Sequence, residues 1–254
     1  MLSNKQAKLI RSLHKKKHRD ISGLYVVEGD KIVREYIEAG EEIILLAGKP
    51  EWISTLPVHQ LKNIRDVVEL SFKELKKVSS LTTPHNSLAI IKTKKKDLSD
   101  ALLKGKITLA LDFIQDPGNL GTIIRTAAWF GIENIICSRN CVDVYNPKVI
   151  QATMGAVSRV SVYYTDIEEL LSESPMQEKT IYGTFLKGES VYGITLDSDS
   201  LFLFGNESHG LSKKYDPYIT RRISIPSFSQ GSRGSESLNV ASAVAVFCSE
   251  ISRV

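Results

Sequence analysis

The chain has 254 residues, 42% hydrophobic and 24% charged, enough for a sizeable core in one large domain or two modest ones. No run of 18 apolar residues offers a membrane span, and the basic N-terminus "MLSNKQAKLIRSLHKKKHRD" lacks the apolar stretch of a secretory signal. The net charge is +4, but it divides unevenly: residues 1–104 balance at +7 and residues 105–254 at −3. That asymmetry suits a first half that meets a polyanion, although lysine-rich solvated helices give the same count.

Three cysteines, Cys137, Cys141 and Cys248, form no C-x-x-C pair. They fit a reducing, cytoplasmic setting and small buried hydrophobes, and they argue against a disulfide framework or a zinc ribbon. No metal site is expected.

In chain order, "KQAKLIRSLHKK" reads as a short amphipathic helix with Ala7, Leu9, Ile10 and Leu13 apolar. "GLYVVEG" reads as a strand ending in a glycine turn. "DKIVREYIEAG" sets Ile32, Val33, Tyr36 and Ile37 on one helical stripe, with Gly40 suited to its C-terminal cap. "EIILLAG" is a strand, and "VVELSFKELKKVSS" a short strand followed by a helix from Ser71 with Glu74 in capping-box position. "SLAIIKT" closes a small α/β domain over residues 1–95. The charged stretch around 96–105 reads as a linker.

Residues 106–254 continue the alternation. Strands are expected at "ITLALDFI", "NIICS", "SVYYT", "TIYGTFL", "LFLFG" and "RISIP", and helices at 119–130, 147–156, 166–173 and 237–252. Strands apolar at every position, such as "LFLF", point to a parallel sheet covered on both faces.

"DPGNLGTIIRTAAWFG" (116–131) follows a strand and opens a helix, as a dinucleotide fingerprint would. It is one glycine short, and the next strand ends "IICSRN" without the acid that would hold a ribose. Leu120, Ile123, Ile124, Ala127 and Ala128 form the core stripe of that helix. Thr122, Arg125 and Trp129 share another face, which sends Arg125 to a cleft, a partner or solvent.

Two later segments carry similar density. "LFLFGNESHGLS" (201–212) runs from a buried strand into a Gly/Asn turn. "ISIPSFSQGSRGSESLNVASAVAVF" (223–247) is a strand, a polar loop and an apolar helix. In that helix Leu238, Ala241, Ala245 and Cys248 form one stripe and Val240, Val244, Phe247 and Ile251 another. Apolarity on two sides implies cover on two sides, most simply by the domain and a second subunit. All three segments follow apolar strands, where open α/β sheets bind ligands.

"NLGTIIR", "LFLFGNES-HG" and "ISIP…SESLNVASA", in this order, resemble the three signature segments of the SpoU (TrmH-type) branch of the SPOUT RNA methyltransferases. "GLYVVEGDKIVREYIEAG" resembles the family's substrate-binding domain, which has an L30e-like fold. The resemblance covers nearly the whole chain. It implies a parallel-sheet SPOUT domain with a deep trefoil knot, S-adenosylmethionine as cofactor, 2′-O-methylation of a ribose in rRNA or tRNA, and a homodimer through the knotted domain. Carried over by position, Arg125, Asn119, Glu207, Ser237 and Asn239 are the catalytic set. Thr184, Gly205, Ile225 and Leu238 are the cofactor-binding set, gripping mainly through the main chain. The resemblance gives Arg125 the activation of the 2′-hydroxyl; an arginine that clamps the adjacent phosphate and acts electrostatically is the chemically softer version.

Two places depart from the family pattern. Ser208 stands where glycine is usual, which would be strained at positive φ, and the loop 227–234 is about four residues longer than usual. Within these stretches, His209 is a candidate base, and Arg233 either reaches RNA or is solvated. The other function class is a non-catalytic RNA-binding ribosome factor; the retained Asn119, Arg125, Glu207 and Asn239 set argues for the enzyme.

Overall fold

The computed structural model describes residues 2–94, 98–99, 103–173, 176, 178–229 and 237–253. Arg233 and part of the expected linker lie outside them. The chain forms two compact units, Met1–Lys95 with Asp143–Ser158, and Lys96–Val142 with Arg159–Val254.

The first unit contains α1 (Asn4–Ser12), α2 (Lys16–Ser22), β1 (Leu24–Glu28), α3 (Asp30–Glu38), β2 (Ile43–Gly48), α4 (Pro50–Ile53), α5 (Val58–Leu61), β3 (Asp66–Glu69), α6 (Phe72–Val78) and β4 (Ser87–Lys92). Capping boxes start α1 at Ser3 with Gln6 and α6 at Ser71 with Glu74, satisfying main-chain donors that the first helical turn leaves over. The sheet runs β1-β4-β2-β3, with β4 antiparallel to both neighbours and β2–β3 parallel. The expected apolar stripe of α3 is buried at Ile32, Val33, Tyr36 and Ile37. Three helices escaped the sequence reading: the short α4 and α5, and α2, where "KKHRDIS" is ended by Gly23 at φ 64°.

Residues 143–158, which the sequence reading placed in the second domain, pack into this unit. They carry α8 (Pro147–Thr153). Ile150 enters the core cluster of Val27, Tyr36 and Ala89. The Tyr145 and Tyr25 rings lie 4.4 Å apart, and Gln151 Nε2 donates to the Glu28 carbonyl at 2.7 Å. The strongest tie is ionic. Arg19, 4% exposed, donates to Asp143 Oδ2 from Nη2 at 2.6 Å and from Nε at 3.1 Å. Its Nη1 meets the Leu13 carbonyl at 2.9 Å.

The second unit is a six-stranded sheet, all parallel: β5 (Thr108–Leu111), β6 (Asn134–Ser138), β7 (Ser161–Thr165), β8 (Thr180–Ser190), β9 (Ser200–Phe204) and β10 (Arg221–Ser224). The order β10-β8-β9-β5-β6-β7 puts a topological switch between β5 and β9. β5, β6 and β9 are buried at every position, which is why they read as continuous apolar runs. Helices α7 (Pro117–Trp129), α9 (Ile167–Ser172) and α10 (Val240–Ile251) flank the sheet, and α7 packs on α10.

The expected stripes of α10 are largely covered within one chain: Val240, Ala241, Val244, Phe247, Cys248 and Ile251 are all buried. Phe247 stacks edge-on against Phe204 at 5.5 Å. The stripe of Val240, Val244, Phe247 and Ile251 is thus buried by the domain itself, while on the other stripe Leu238, at 50% exposure, and Ala245, half-buried, are left open.

Replacing Asp143 with alanine would leave a buried guanidinium without its counter-charge. We expect a loss of about 3–5 kcal/mol, read as a lower urea midpoint for the first unit. An unchanged midpoint would show that the ion pair does not hold 143–158 in place.

Candidate active site

The second unit brings Asn119, Glu207 and Asn239 into one hydrogen-bonded cluster, and the reason begins with a helix end. Asn239 is the N-cap of α10, and its Oδ1 accepts from Ala241 N at 3.0 Å and Ser242 N at 3.3 Å. With the oxygen committed to the helix, the amide nitrogen must face outward as a donor. It donates to Glu207 Oε1 at 2.9 Å and to Asn119 Oδ1 at 3.0 Å. Asn119 then has only its own nitrogen left to offer, and this reaches the same Glu207 oxygen at 2.5 Å. Val240 N adds a longer contact at 3.4 Å.

One carboxylate oxygen thus collects its donors from two helix starts, while Glu207 Oε2 keeps free acceptor capacity among the described residues. Asn119 is itself placed by a cap: Asp116 Oδ1 accepts from Asn119 N at 2.8 Å, and Pro117 starts α7. The sequence reading started this helix at 119 and missed the cap, which Asp followed by Pro would have signalled.

Arg125 lies one and a half turns further along α7. Like Thr122 it is exposed, and Trp129 on the same face is 84% exposed. Arg125 has no hydrogen bond or ion pair among the described residues, so the cluster does not hold it. Ser237 is half-buried, just before the Asn239 cap.

Three of the four positions expected to grip a cofactor fall along one edge of the sheet. Thr184, Gly205 and Ile225 follow the paired cores of three adjacent parallel strands, β8, β9 and β10. Leu238 directly precedes Asn239. The Thr184 hydroxyl is spent on the Leu203 carbonyl at 2.9 Å. The main-chain groups of Gly205, Ile225 and Leu238 have no hydrogen-bond partner among the described residues. Main-chain donors and acceptors left open at the half-buried strand ends Gly205 and Ile225, and at the exposed Leu238, fit a ligand held through the backbone. Gly205 is also obligatory for packing: a Cβ there would sit 2.1 Å from Gly210 C.

The turn after β9 is tied at both ends. Asn206 pairs with Gly210 through two main-chain bonds, and its Nδ2 donates to the Phe113 carbonyl at 3.0 Å. Ser208 is not in the positive-φ region, so the strain anticipated for a serine at that position does not arise; Gly210, at φ 68°, makes the left-handed step. His209 is exposed and outside the cluster.

Cys137, Cys141 and Cys248 are free and buried. Cys141 does more than fill space. Its sulfur accepts from Ile114 N at 3.2 Å and lies 3.3 Å from the Leu111 carbonyl, tying the end of β5 to the loop after β6. A hydrogen bond from Cys137 holds its thiol down at about 7 against the desolvation that opposes it.

With this geometry in view, the comparisons are specific. Residues 106–249 match the SpoU rRNA Methylase family, and residues 4–89 match the MRM3-like substrate binding domain. The chain belongs to the SpoU rRNA methylase family.

A TrmH-family structure from Porphyromonas gingivalis is 35% identical, with a TM-score of 0.86 over 100% of this chain and 99% of that one. The AdoMet-bound rRNA methyltransferase from Sinorhizobium meliloti is 27% identical, with a TM-score of 0.85 over 100% and 96%. The 23S rRNA (guanosine(2553)-2′-O)-methyltransferase RlmP of Bacillus subtilis is 27% identical over 96% of this chain and 94% of its own. The second unit is thus a SPOUT domain whose fold implies the trefoil knot, and the first is a separate α/β unit.

Asn239→Ala removes the α10 cap and leaves Glu207 and Asn119 without a shared donor. The cap alone is worth about 0.5–2 kcal/mol, so a lower melting temperature is expected together with reduced activity. Gly205→Ala should be harsher, because both Gly205 and Gly210 would have to move. A Gly205→Ala variant with unaltered melting temperature would contradict the packing described.

Proposed function

We propose that the protein transfers the methyl group of S-adenosylmethionine to a ribose 2′-hydroxyl of ribosomal RNA. The observation that carries this reading is the Asn119–Glu207–Asn239 cluster, built on two helix starts beside strand-end loops with open main-chain groups, in a chain of the SpoU family. The relatives named for rRNA methylation and the AdoMet-bound neighbour favour the same chemistry and cofactor. Thr184, Gly205, Ile225 and Leu238 would hold the cofactor, which supplies an already electrophilic methyl group when bound.

The protein's task is then the nucleophile. A ribose 2′-hydroxyl is a weak acid, so it must be aligned with the methyl group and lose its proton as the new bond forms. Arg125 is exposed, unpaired and permanently charged. It can clamp a neighbouring phosphate with two N–H groups and lower the hydroxyl's pKa through its charge. It has no acceptor while charged, so the proton passes to the phosphate or to water. On this reading Glu207 Oε2 and the Asn119 amide would orient the ribose, with Ser237, two residues before Asn239, assisting.

The reading includes a homodimer through the second unit. Trp129 at 84% exposure and Leu238 at 50% favour it, because large apolar side chains flanking a site are common at interfaces. The free cysteines favour a reducing compartment, the cytoplasm.

Arg125→Ala should abolish methyl transfer to RNA taken from cells lacking the protein, while calorimetry shows nearly unchanged affinity for S-adenosylmethionine. Wild-type turnover in this variant would sink the role given to Arg125. Absence of any S-adenosylmethionine binding by the unaltered protein would instead favour a non-catalytic RNA-binding factor. Sedimentation equilibrium checks the dimer: Trp129→Glu should shift the mass toward one chain.

A further inference from the structure

The second unit contains a cleft that the methyl-transfer cluster does not use. It has a volume of about 630 Å³ and opens at the carboxyl ends of β5, β6 and β7, between Phe113, Ser138, Thr165 and the turn after β9. That is the switch-point edge of the sheet, where open α/β folds bind ligands, and the volume is within the range of about 300–1,000 Å³ usual for small-molecule sites.

Its chemistry is graded. Asp112 sits at the inner end, where Oδ1 accepts from the Tyr215 hydroxyl at 3.1 Å and Oδ2 from Ser212 N at 3.3 Å. Each oxygen therefore keeps a lone pair for another donor. Phe113 supplies the aromatic surface, with the buried Tyr215 ring behind it. Arg139, Asn140 and His209 stand exposed at the rim, and none has a hydrogen-bond or ion-pair partner among the described residues. Lys214 is different, since it is already engaged by Glu168 at 3.4 Å and Asp166 at 3.8 Å.

Phe113 carries a further sign of construction. It is one of two non-glycine residues at positive φ among the described residues, at 59°, a conformation strained for an ordinary side chain. Side chains hold it at both ends: its N–H donates to Ser138 Oγ at 3.0 Å, and its carbonyl accepts from Asn206 Nδ2. Strain fixed by two side chains at a cleft mouth marks a shaped surface.

We propose that this cleft receives a nucleotide of the substrate RNA other than the one methylated. Its base enters over Phe113 and donates an exocyclic amino group to Asp112, and its phosphate is met at the rim by Arg139, Asn140 and His209. Aromatic faces and guanidinium planes are how proteins hold unstacked RNA bases, and an arginine fork matches a phosphate. The inference rests on the methyltransferase reading and adds the residues that choose the RNA.

The link between the two sites is the turn 206–210. Glu207 leaves it toward Asn119 and Asn239, while Asn206, His209 and Gly210 line the cleft. Glu207 and His209 are two residues apart, within about 7 Å along the backbone, a separation that neighbouring nucleotides of one strand can bridge. A single short turn thus faces the ribose on one side and the flanking base on the other.

The experiment uses the full chain, labelled S-adenosylmethionine and RNA from cells lacking the protein. Arg139→Ala, and Arg139→Ala combined with His209→Ala, should raise KM for RNA by about tenfold or more. kcat and the affinity for S-adenosylmethionine should stay within twofold of the unaltered protein, and Arg139→Lys should recover part of the loss. Titration with AMP, CMP, GMP and UMP should show weak binding that RNA competes away and that is weakest for UMP, which lacks an amino group.

An unchanged KM in both variants overturns the proposal. So does a cleft that binds mononucleotides through Arg139 while RNA kinetics stay unaltered, since the ligand would then be a free nucleotide. If the unaltered protein binds no S-adenosylmethionine, the methyltransferase reading fails and this inference with it; normal turnover with unaltered variant KM overturns this inference alone.

Discussion

The commitment of the Asn239 side-chain oxygen to the first turn of α10 is the constraint from which the site follows. A helix start needs acceptors, and Asn239 supplies one. That choice fixes which way its amide points, hence that an acceptor must stand opposite. Glu207 provides the acceptor, and the orientation of Asn119 follows from what Asn239 leaves open. Three polar side chains with many possible arrangements are thereby reduced to one. Under the proposed reading, a cluster fixed in this way would need little reorganisation during reaction, where preorganised polar groups contribute most.

The parallel sheet supplies the rest of the geometry. Parallel strands share a direction, so all of their carboxyl ends lie along one edge. Loops distant in sequence meet there without special provision. On one side of the switch between β5 and β9 are the open main-chain groups that suit a cofactor. On the other is the cleft beneath Arg139 and His209. The turn 206–210 stands between them, and Gly205 lets it pack directly against Gly210.

Much of this was legible in the sequence, for local reasons. The apolar runs of β5, β6 and β9 and the stripe of α3 are periodicities that neighbouring residues create by themselves. The capping box at Ser71 is likewise contained within four residues. Other features escaped because their causes are not local. "VYNPKVIQATMG" reads as an ordinary helix start, and nothing in it says that Ile150 belongs to the core of the first unit or that Asp143 answers Arg19. The two apolar stripes of α10 suggested a partner subunit, yet the domain's own packing buries one of them and half of the other. The concern over Ser208 vanished because the left-handed step falls two residues later, at Gly210.

The sequence by itself determined the strands and the longer helices, the class of fold and, through three spaced motifs, the family. Each of these depends on residue type and short spacing. Tertiary structure decided which residues meet. Asn119 lies 88 residues from Glu207 and 120 from Asn239, and only the closure of the sheet brings them within hydrogen-bond range. It also decided that Arg125 stands apart from that cluster, free to meet a ligand, and that Arg139, Asn140 and His209 share one rim. Such neighbourhoods are products of long-range packing, in which sequence separation is no guide to distance.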